Sequence, residues 1–278
     1  MADNKTTVVD AARDYYNSDD ADHFYFNVWG GEDLHIGIYE NTDSILEASR
    51  QTVYRIASKL DHWPAGTHEL DIGAGYGGSG RYLAREKGFK ITCLNISEVQ
   101  NERNRRFCQE QGLDDKIDVY DGDFENLPFE DNSFDLVWCQ DSILHSGNRF
   151  RVFQEVDRVL KSKGEFIFTD PMQRKGVPQE DLQPVLDRIH LETMGSIEDY
   201  KKFAEKLDWE VLEIEEMAHC LSDHYSNVKK NLESREEELS KLISREYRER
   251  MLQGLQHWVD AANKGAITWG ILHFKKKS

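Results

Sequence analysis

At Glu69-Leu70-Asp71-Ile72-Gly73-Ala74-Gly75-Tyr76-Gly77-Gly78 an apolar run ends in a glycine-rich turn and passes into a helical pattern. Glycine reaches positive φ without steric cost and lets backbone approach a ligand closely. A strand, a glycine turn and a helix N-terminus in succession therefore read as a small-molecule cradle in an α/β protein. The plainer alternative is a tight strand-to-helix connection that holds nothing.

The flanking sequence repeats that rhythm. Short apolar runs at 68–72, 90–96, 117–120, 134–139 and 165–169 alternate with charge-rich segments of helical spacing at 78–87, 97–111 and 149–161. In the last of these, Phe150, Phe153, Val156, Val159 and Leu160 mark one face. The pattern predicts a doubly wound parallel sheet with right-handed crossovers. Further on it predicts helices over 180–191 and 196–207, a strand over 209–217, a long polar helical stretch over 223–262 and a final strand over 266–274. The charge run Glu233-Ser234-Arg235-Glu236-Glu237-Glu238 reads as a solvated helix face. Ahead of the sheet, Tyr15, Tyr16, Phe24, Tyr25, Phe26 and Trp29 crowd together before Gly30-Gly31, as a lid or pocket wall would. At 278 residues, one domain with appendages is expected: a helical, aromatic lid over 1–66, a core over 67–217, and a helical insertion with the final strand over 218–278.

A net charge of -17 repels phosphate backbones and anionic membrane surfaces, so neither nucleic acid nor membrane is an expected partner. An acidic surface suits a cytoplasm rich in salt or osmolytes, although an ordinary acidic enzyme is the plainer reading. Cys93, Cys108, Cys139 and Cys220 form no CxxC pair, and neither a secretory leader nor a membrane-length apolar run is read, so a cytoplasmic location is expected. Histidines and cysteines lack metal-ligand spacing, and no metal is expected.

Charge also narrows what the glycine turn holds. Gly73, Gly75 and Gly78 satisfy the dinucleotide GxGxxG spacing. Asp71 at the strand end, however, repels a pyrophosphate and accommodates a cationic sulfonium with its amino-acid tail. The second strand ends in Asn95, where a dinucleotide oxidoreductase would carry its ribose-binding acid. The Asn95 amide can still bond a ribose hydroxyl, with Gln100 one turn on, although asparagine is also a common strand-end residue. Asp123-Phe124 after the third strand can accept the adenine amino proton and cover the ring, or Asp123 can cap a turn.

The run from Leu70 through Trp138 and on to Val159-Leu160-Lys161-Ser162-Lys163-Gly164-Glu165-Phe166 resembles the class I S-adenosylmethionine-dependent methyltransferases. The resemblance spans residues 60–217 and the last strand. It implies a Rossmann-like seven-stranded sheet, mostly parallel with an antiparallel last strand, and S-adenosyl-L-methionine as cofactor. It places Asp71, Gly73 and Gly75 near the methionine moiety, Asn95, Ile96 and Gln100 near ribose and adenine, and Asp123 with Phe124 around the adenine. His35 and Gln140 complete the expected cofactor site. Asn95 is the departure from the usual acid.

Within that class, Asn95-Ile96-Ser97 with Gln100 and the aromatic segment 23–39 resemble the branch that methylates small amines, above all the sarcosine/dimethylglycine N-methyltransferases. A small-molecule amine partner and a monomer or homodimer follow as expectations. In related phosphoethanolamine methyltransferases an amino-terminal tyrosine and a histidine after the fourth strand form a catalytic latch, which implies Tyr16 and His145. His145 also ends the run Gln140-Asp141-Ser142-Ile143-Leu144-His145, placed where open α/β sheets bind ligands. Its alternative is a helix-start residue with a satisfied ring.

Transfer to nitrogen leaves a cationic product that aromatic faces tolerate, so Tyr25 and Trp29, with Tyr15 and Tyr16, are candidate acceptor contacts; they can equally fasten a helix over the core. Asp141 and Met172 join them. A carboxylate-bearing acceptor needs a fixed cation, and of Arg174, Arg188 and His190, Arg188 ranks first. Phosphoethanolamine is the alternative acceptor, yet Asp170-Pro171-Met172 and Ile189-His190-Leu191 are poor in the hydroxyls and cations a phosphate clamp wants. Two other classes compete. A silent cofactor-binding module does not explain the polar Gln140, Asp141 and His145. A lipid methyltransferase finds little membrane attraction in an acidic amino terminus.

Overall fold

The computed structural model describes residues 13, 15–189 and 191–277. Seven strands form its sheet: β1 (His68–Ile72), β2 (Lys90–Asn95), β3 (Ile117–Asp121), β4 (Phe134–Gln140), β5 (Leu160–Gln173), β6 (Trp209–Glu216) and β7 (Ile267–Lys276), in the order β3-β2-β1-β4-β5-β7-β6. β1 to β5 pair in parallel, and β7 lies antiparallel to both β5 and β6. The expected seven-stranded sheet with its antiparallel last strand is what forms.

Helices cover both faces, which is why strands such as β4 read as almost unbroken apolar runs. Leu70, Ile72, Val137 and Phe168 pack into one buried cluster, and Leu136, Trp138 and Ile167 into the other. The amino-terminal part comprises α1 (Asp19–Phe24), which widens into a π turn over Tyr25–Trp29, and α2 (Ile45–Ser58). Ser18 and Ser44 cap the two helices by accepting from Ala21 and Glu47 N–H. The crossovers are α3 (Gly78–Tyr82), continued as a π turn over Leu83–Lys87, then α4 (Glu98–Glu110) and α5 (Arg149–Val159). α6 (Gln179–Ile189) and α7 (Ile197–Lys206) follow β5.

Three expectations are corrected. The helix expected over 149–161 stops at Val159, because Leu160 already opens β5. β5 runs to Gln173 rather than ending at 169, carried by pairing with β7 as far as Gln173 opposite Ile267. The stretch read as one polar helix over 223–262 is three: α8 (His219–Ser234), α9 (Glu236–Leu239) and α10 (Arg245–Asn263). Their polar average hides buried stripes, Leu221, Tyr225, Val228 and Leu232 on α8 and Tyr247, Met251, Leu255 and Trp258 on α10. The glutamates of the charge run do point to solvent, while Arg235 ties the run to the lid by donating to the Asn27 carbonyl at 2.6 Å.

Strand order reverses between β1 and β4, and the crevice beyond their carboxyl ends is where this topology binds ligands. Among the described residues, no helix is long and apolar enough to cross a membrane, and no acid, histidine or cysteine cluster could hold a metal ion. All four cysteines are buried and free.

Candidate active site

The glycine turn opens this crevice. Gly73, Gly75 and Gly77 have φ of 77°, 55° and 73°, a region that side chains strain to enter. Gly73 and Ala74 N–H donate to the Leu94 carbonyl at 2.7 and 3.2 Å, pinning the turn to β2. A Cβ on Gly73 would run into Ser142, whose hydroxyl donates to the Gly73 carbonyl at 3.2 Å. Across the crevice, the loop at 32–35 hangs over the turn. Arg81, 1% exposed, holds it by donating to Glu32 at 2.6 Å and to the Tyr76 carbonyl at 2.6 Å.

These walls enclose a cavity of about 980 Å³, counting the part open to solvent. Every residue expected at the cofactor lines it: His35, Asp71, Gly73, Gly75, Asn95, Ile96, Gln100, Asp123, Phe124 and Gln140. Asn95 donates its amide to Gln100 Oε1 at 2.9 Å, and among the described residues Asn95 Oδ1 and Gln100 Nε2 have no partner. One acceptor and one donor suit a pair of vicinal hydroxyls. Asp123 does cap a turn, accepting from Glu125 N–H at 2.8 Å, and still lines the cavity. Sequence reasoning missed Asp33, Leu34, Ser79 and Ser142, which line the same space. Only their nearness to the glycine turn or strand ends could have pointed to them.

The cavity is acidic. Burial pushes the Asp71 carboxyl up to about 7, while the Ser79 hydroxyl and His35 pull it back. Burial works against charging His35, but Asp33 and Asp141 hold its pKa above the ordinary value. His35 Nε2 and Gln140 Nε2 are buried without a hydrogen-bond partner among the described residues. Orphaned buried donors in a glycine-walled, acid-lined cavity fit a ligand with a carboxylate, a cationic centre and a ribose.

A second cavity, of about 940 Å³ on the same measure, shares Tyr16, Tyr25, Leu34, Asp141 and His145 with the first. Half of its lining residues carry aromatic rings, Tyr15, Trp29, Tyr225 and Trp258 besides the shared tyrosines and His145, and Ile36, Leu144, Pro171 and Ile189 add apolar surface. The π turn brings Tyr25 and Trp29 to the same side, ring centroids 5.4 Å apart, and such turns recur at functional sites. Tyr225 and Trp258, missed in the sequence, stack at 4.8 Å. Their helical spacing with buried neighbours was the available signal.

Arg188 lines this cavity and makes no ion pair among the described residues. Its Nη1 is buried without a partner, and Nη2 meets only Met251 Sδ at 3.5 Å. Arg174, the other arginine considered, lies nearly half exposed and bonds Glu216 at 2.6 Å; His190 lies outside the described residues. Met172 is a correction: it lines neither cavity and is wholly buried in the opposite cluster with Leu70 and Val152. Alternation along β5 sends Pro171 into the cavity and Met172 to the far face.

At the junction, Tyr16 Oη and His145 Nε2 are 3.0 Å apart. Burial, aided by Arg149 and Arg188, drives His145 down to about 4, so a neutral imidazole accepts from a phenol that burial keeps protonated. The His145 turn is held from β5: Asp170 accepts from Leu144 N–H at 2.9 Å and from the Tyr200 hydroxyl. Asp141 does not stand free for a substrate. Its Oδ2 accepts from Ile36 N–H and its Oδ1 from the Trp269 indole, both at 2.7 Å, so it staples the lid to β7.

A methyltransferase domain model matches residues 70–168. The chain is 56% identical over 270 residues to a sarcosine/dimethylglycine N-methyltransferase of Aphanothece halophytica, covering 97% of this chain and 98% of that protein. It is 51% identical over 269 residues to one of Halorhodospira halochloris, covering 96% of each. A crystal structure from Galdieria sulphuraria, provisionally described as a sarcosine dimethylglycine methyltransferase, superposes with a TM-score of 0.90 at 42% identity, over 95% of this chain and all of that one.

Proposed function

Since the chain belongs to the sarcosine/dimethylglycine N-methyltransferase family, we propose that it converts sarcosine and dimethylglycine to glycine betaine, with S-adenosylmethionine as methyl donor. The observation that carries this reading is Arg188, a guanidinium without an ion-pair partner among the described residues, in an aromatic cavity that meets the glycine-turn cavity at Tyr16, Asp141 and His145. A fixed cation for a carboxylate and aromatic faces for a methylated ammonium are the two recognitions such acceptors need.

S-adenosylmethionine supplies an electrophilic methyl group on a sulfonium, which becomes a thioether as the acceptor nitrogen takes the methyl. The chain's own residues bind and orient. Gln140 offers an orphaned donor to the amino-acid tail with His35, 3.8 Å from Asp33, beside the same space, Asp71 favours cationic groups nearby, Asn95 with Gln100 holds the ribose, and Asp123 with Phe124 flanks the adenine. Tyr16 donates to His145 and turns its remaining lone pairs toward the amine, where they orient an N–H or soften the charge of the product. A neutral amine attacks, so binding energy from the carboxylate end sets the distance and line of approach. Both cavities are walled by residues of this chain, and we take the enzyme to act as a monomer or homodimer. Four buried free thiols suit a reducing cytoplasm, where we place the enzyme.

Among the described lining residues Arg188 is the only lysine or arginine of the second cavity, too little for a phosphate. An acceptor panel tests the reading: release of S-adenosylhomocysteine is expected with sarcosine and dimethylglycine and absent with phosphoethanolamine. Turnover of phosphoethanolamine above that of dimethylglycine would reverse the assignment.

The dyad makes a pH prediction. His145 titrates at about 4 in the folded chain against about 6.5 unfolded, so the folded chain binds fewer protons in that interval and loses stability as pH falls through it. Above it the imidazole is already neutral. The kcat/KM for dimethylglycine should then rise with the deprotonation of the acceptor's own ammonium, about tenfold per pH unit well below an amine pKa near 10, with no inflection near 6.5 that traces to His145. An inflection there that disappears in His145→Asn would show His145 titrating in catalysis and contradict a permanently neutral ring.

A further inference from the structure

Two buried donors of the acceptor cavity have no hydrogen-bond partner among the described residues. Trp29 lines it, and its indole Nε1 is shut off from solvent with no hydrogen-bond partner among the described residues. Arg188 Nη1 is in the same state. Tyr25 and Tyr225 flank the indole at 5.4 and 5.5 Å between ring centroids, and both also lie within electrostatic reach of the guanidinium. Asp141, the one carboxylate among the described lining residues, has each oxygen committed to another donor. Buried N–H groups left unsatisfied are rare in folded proteins, and a shared ligand accounts for both.

We infer that Trp29 Nε1 and Arg188 Nη1 form a two-donor clamp on the carboxylate of the acceptor, an inference that rests on the methylation of amino acids proposed above. Trp29 then binds through its N–H edge, beyond the aromatic face it turns to its neighbours. One cation and one neutral donor match two oxygens and a single charge. A phosphate monoester brings a further oxygen and a charge approaching two, which the clamp leaves unmatched, and an amino alcohol leaves the guanidinium without a counter-charge. Trp29 is thus a specificity-determining residue for α-amino carboxylates.

The test compares Trp29→Phe with the unmodified enzyme on two acceptors: dimethylglycine, and N,N-dimethylpropylamine, which keeps the amine and chain but has no oxygen. Phenylalanine retains an aromatic face and deletes the N–H. The expected result is a fall in kcat/KM of about tenfold for dimethylglycine and none for the oxygen-free amine, with S-adenosylhomocysteine affinity unchanged by calorimetry. An equal fall on both acceptors makes Trp29 only a wall, and no fall on either removes it from binding; both outcomes overturn the clamp. A second measurement needs no folded Trp29 variant. In the unmodified protein carrying ¹⁵N-labelled tryptophan, with S-adenosylhomocysteine bound, the Trp29 indole N–H resonance, assigned through its contacts to Tyr25 and Tyr225, is expected to move downfield with dimethylglycine and not with dimethylpropylamine. A Trp29 resonance that stays in place while dimethylglycine saturates the enzyme overturns the clamp. If the unmodified enzyme does not methylate dimethylglycine at all, the proposed function fails first; turnover with the variant unimpaired overturns the clamp alone.

Discussion

Arg188→Met raises the KM for dimethylglycine about 100-fold and leaves S-adenosylhomocysteine affinity unchanged. Methionine keeps a long apolar stem, which matters because α6 and α10 pack closely there: a Cβ on Gly254 would lie 2.6 Å from Arg188 Cδ. What disappears is the charge. Removing one partner of a desolvated, hydrogen-bonded charge pair costs roughly 3 kcal/mol, or about two orders of magnitude in binding. Because Arg188 is a buried cation without an ion-pair partner among the described residues, the ligand-free variant should melt no lower than the unmodified chain. Steady-state kinetics, calorimetry and a thermal melt read the three effects separately. An unchanged KM would clear Arg188 of carboxylate binding.

Gly75→Val abolishes cofactor binding, with an affinity loss of at least about 100-fold as measured by calorimetry with S-adenosylhomocysteine. Gly75 sits at φ 55°, which a β-branched residue occupies only under strain. Its missing Cβ faces Leu34 Cδ1 at 3.5 Å, ordinary contact distance, so the valine side chain grows into the cavity between turn and lid without a collision in the core. Circular dichroism should therefore show a folded chain. A folded variant with undiminished affinity would mean that the glycine turn does not cradle the ligand.

The cofactor half of the site was legible because it is local. A strand, a glycine turn and the ends of the next strands lie within residues 70–140, and Asp71, Asn95, Asp123 and Gln140 sit at or just past strand ends where topology converges, with Gln100 on α4 and His35 on the lid loop as the exceptions. Asn95 shows the limit even there: the sequence raised the possibility of a ribose contact, and only the geometry shows its amide turned to Gln100, leaving one donor and one acceptor outward.

The acceptor half was legible in part. Tyr16, Tyr25, Trp29 and His145 could be named because aromatic crowding and position after β4 are sequence features. Tyr225 and Trp258 could not, since they arrive from helices that average polar and whose buried stripe depends on where each helix begins. Met172 failed for a one-residue reason: in a strand of period two, its neighbour Pro171 faces the cavity. Asp141, expected at the acceptor, lines both cavities, yet its carboxylate is spent on Ile36 and on Trp269, which sits on a strand that no spacing rule connects to it.

The arrangement as a whole claims that cofactor and acceptor occupy two cavities meeting at Tyr16, Asp141 and His145. A crystal structure with S-adenosylhomocysteine and dimethylglycine tests this most directly. The prediction is a nucleoside between Asn95–Gln100 and Asp123–Phe124, a dimethylglycine carboxylate on Arg188, and its nitrogen pointing past the Tyr16–His145 pair toward the thioether sulfur. Dimethylglycine bound with its carboxylate at the glycine turn, or with its nitrogen directed away from the junction, would contradict the account.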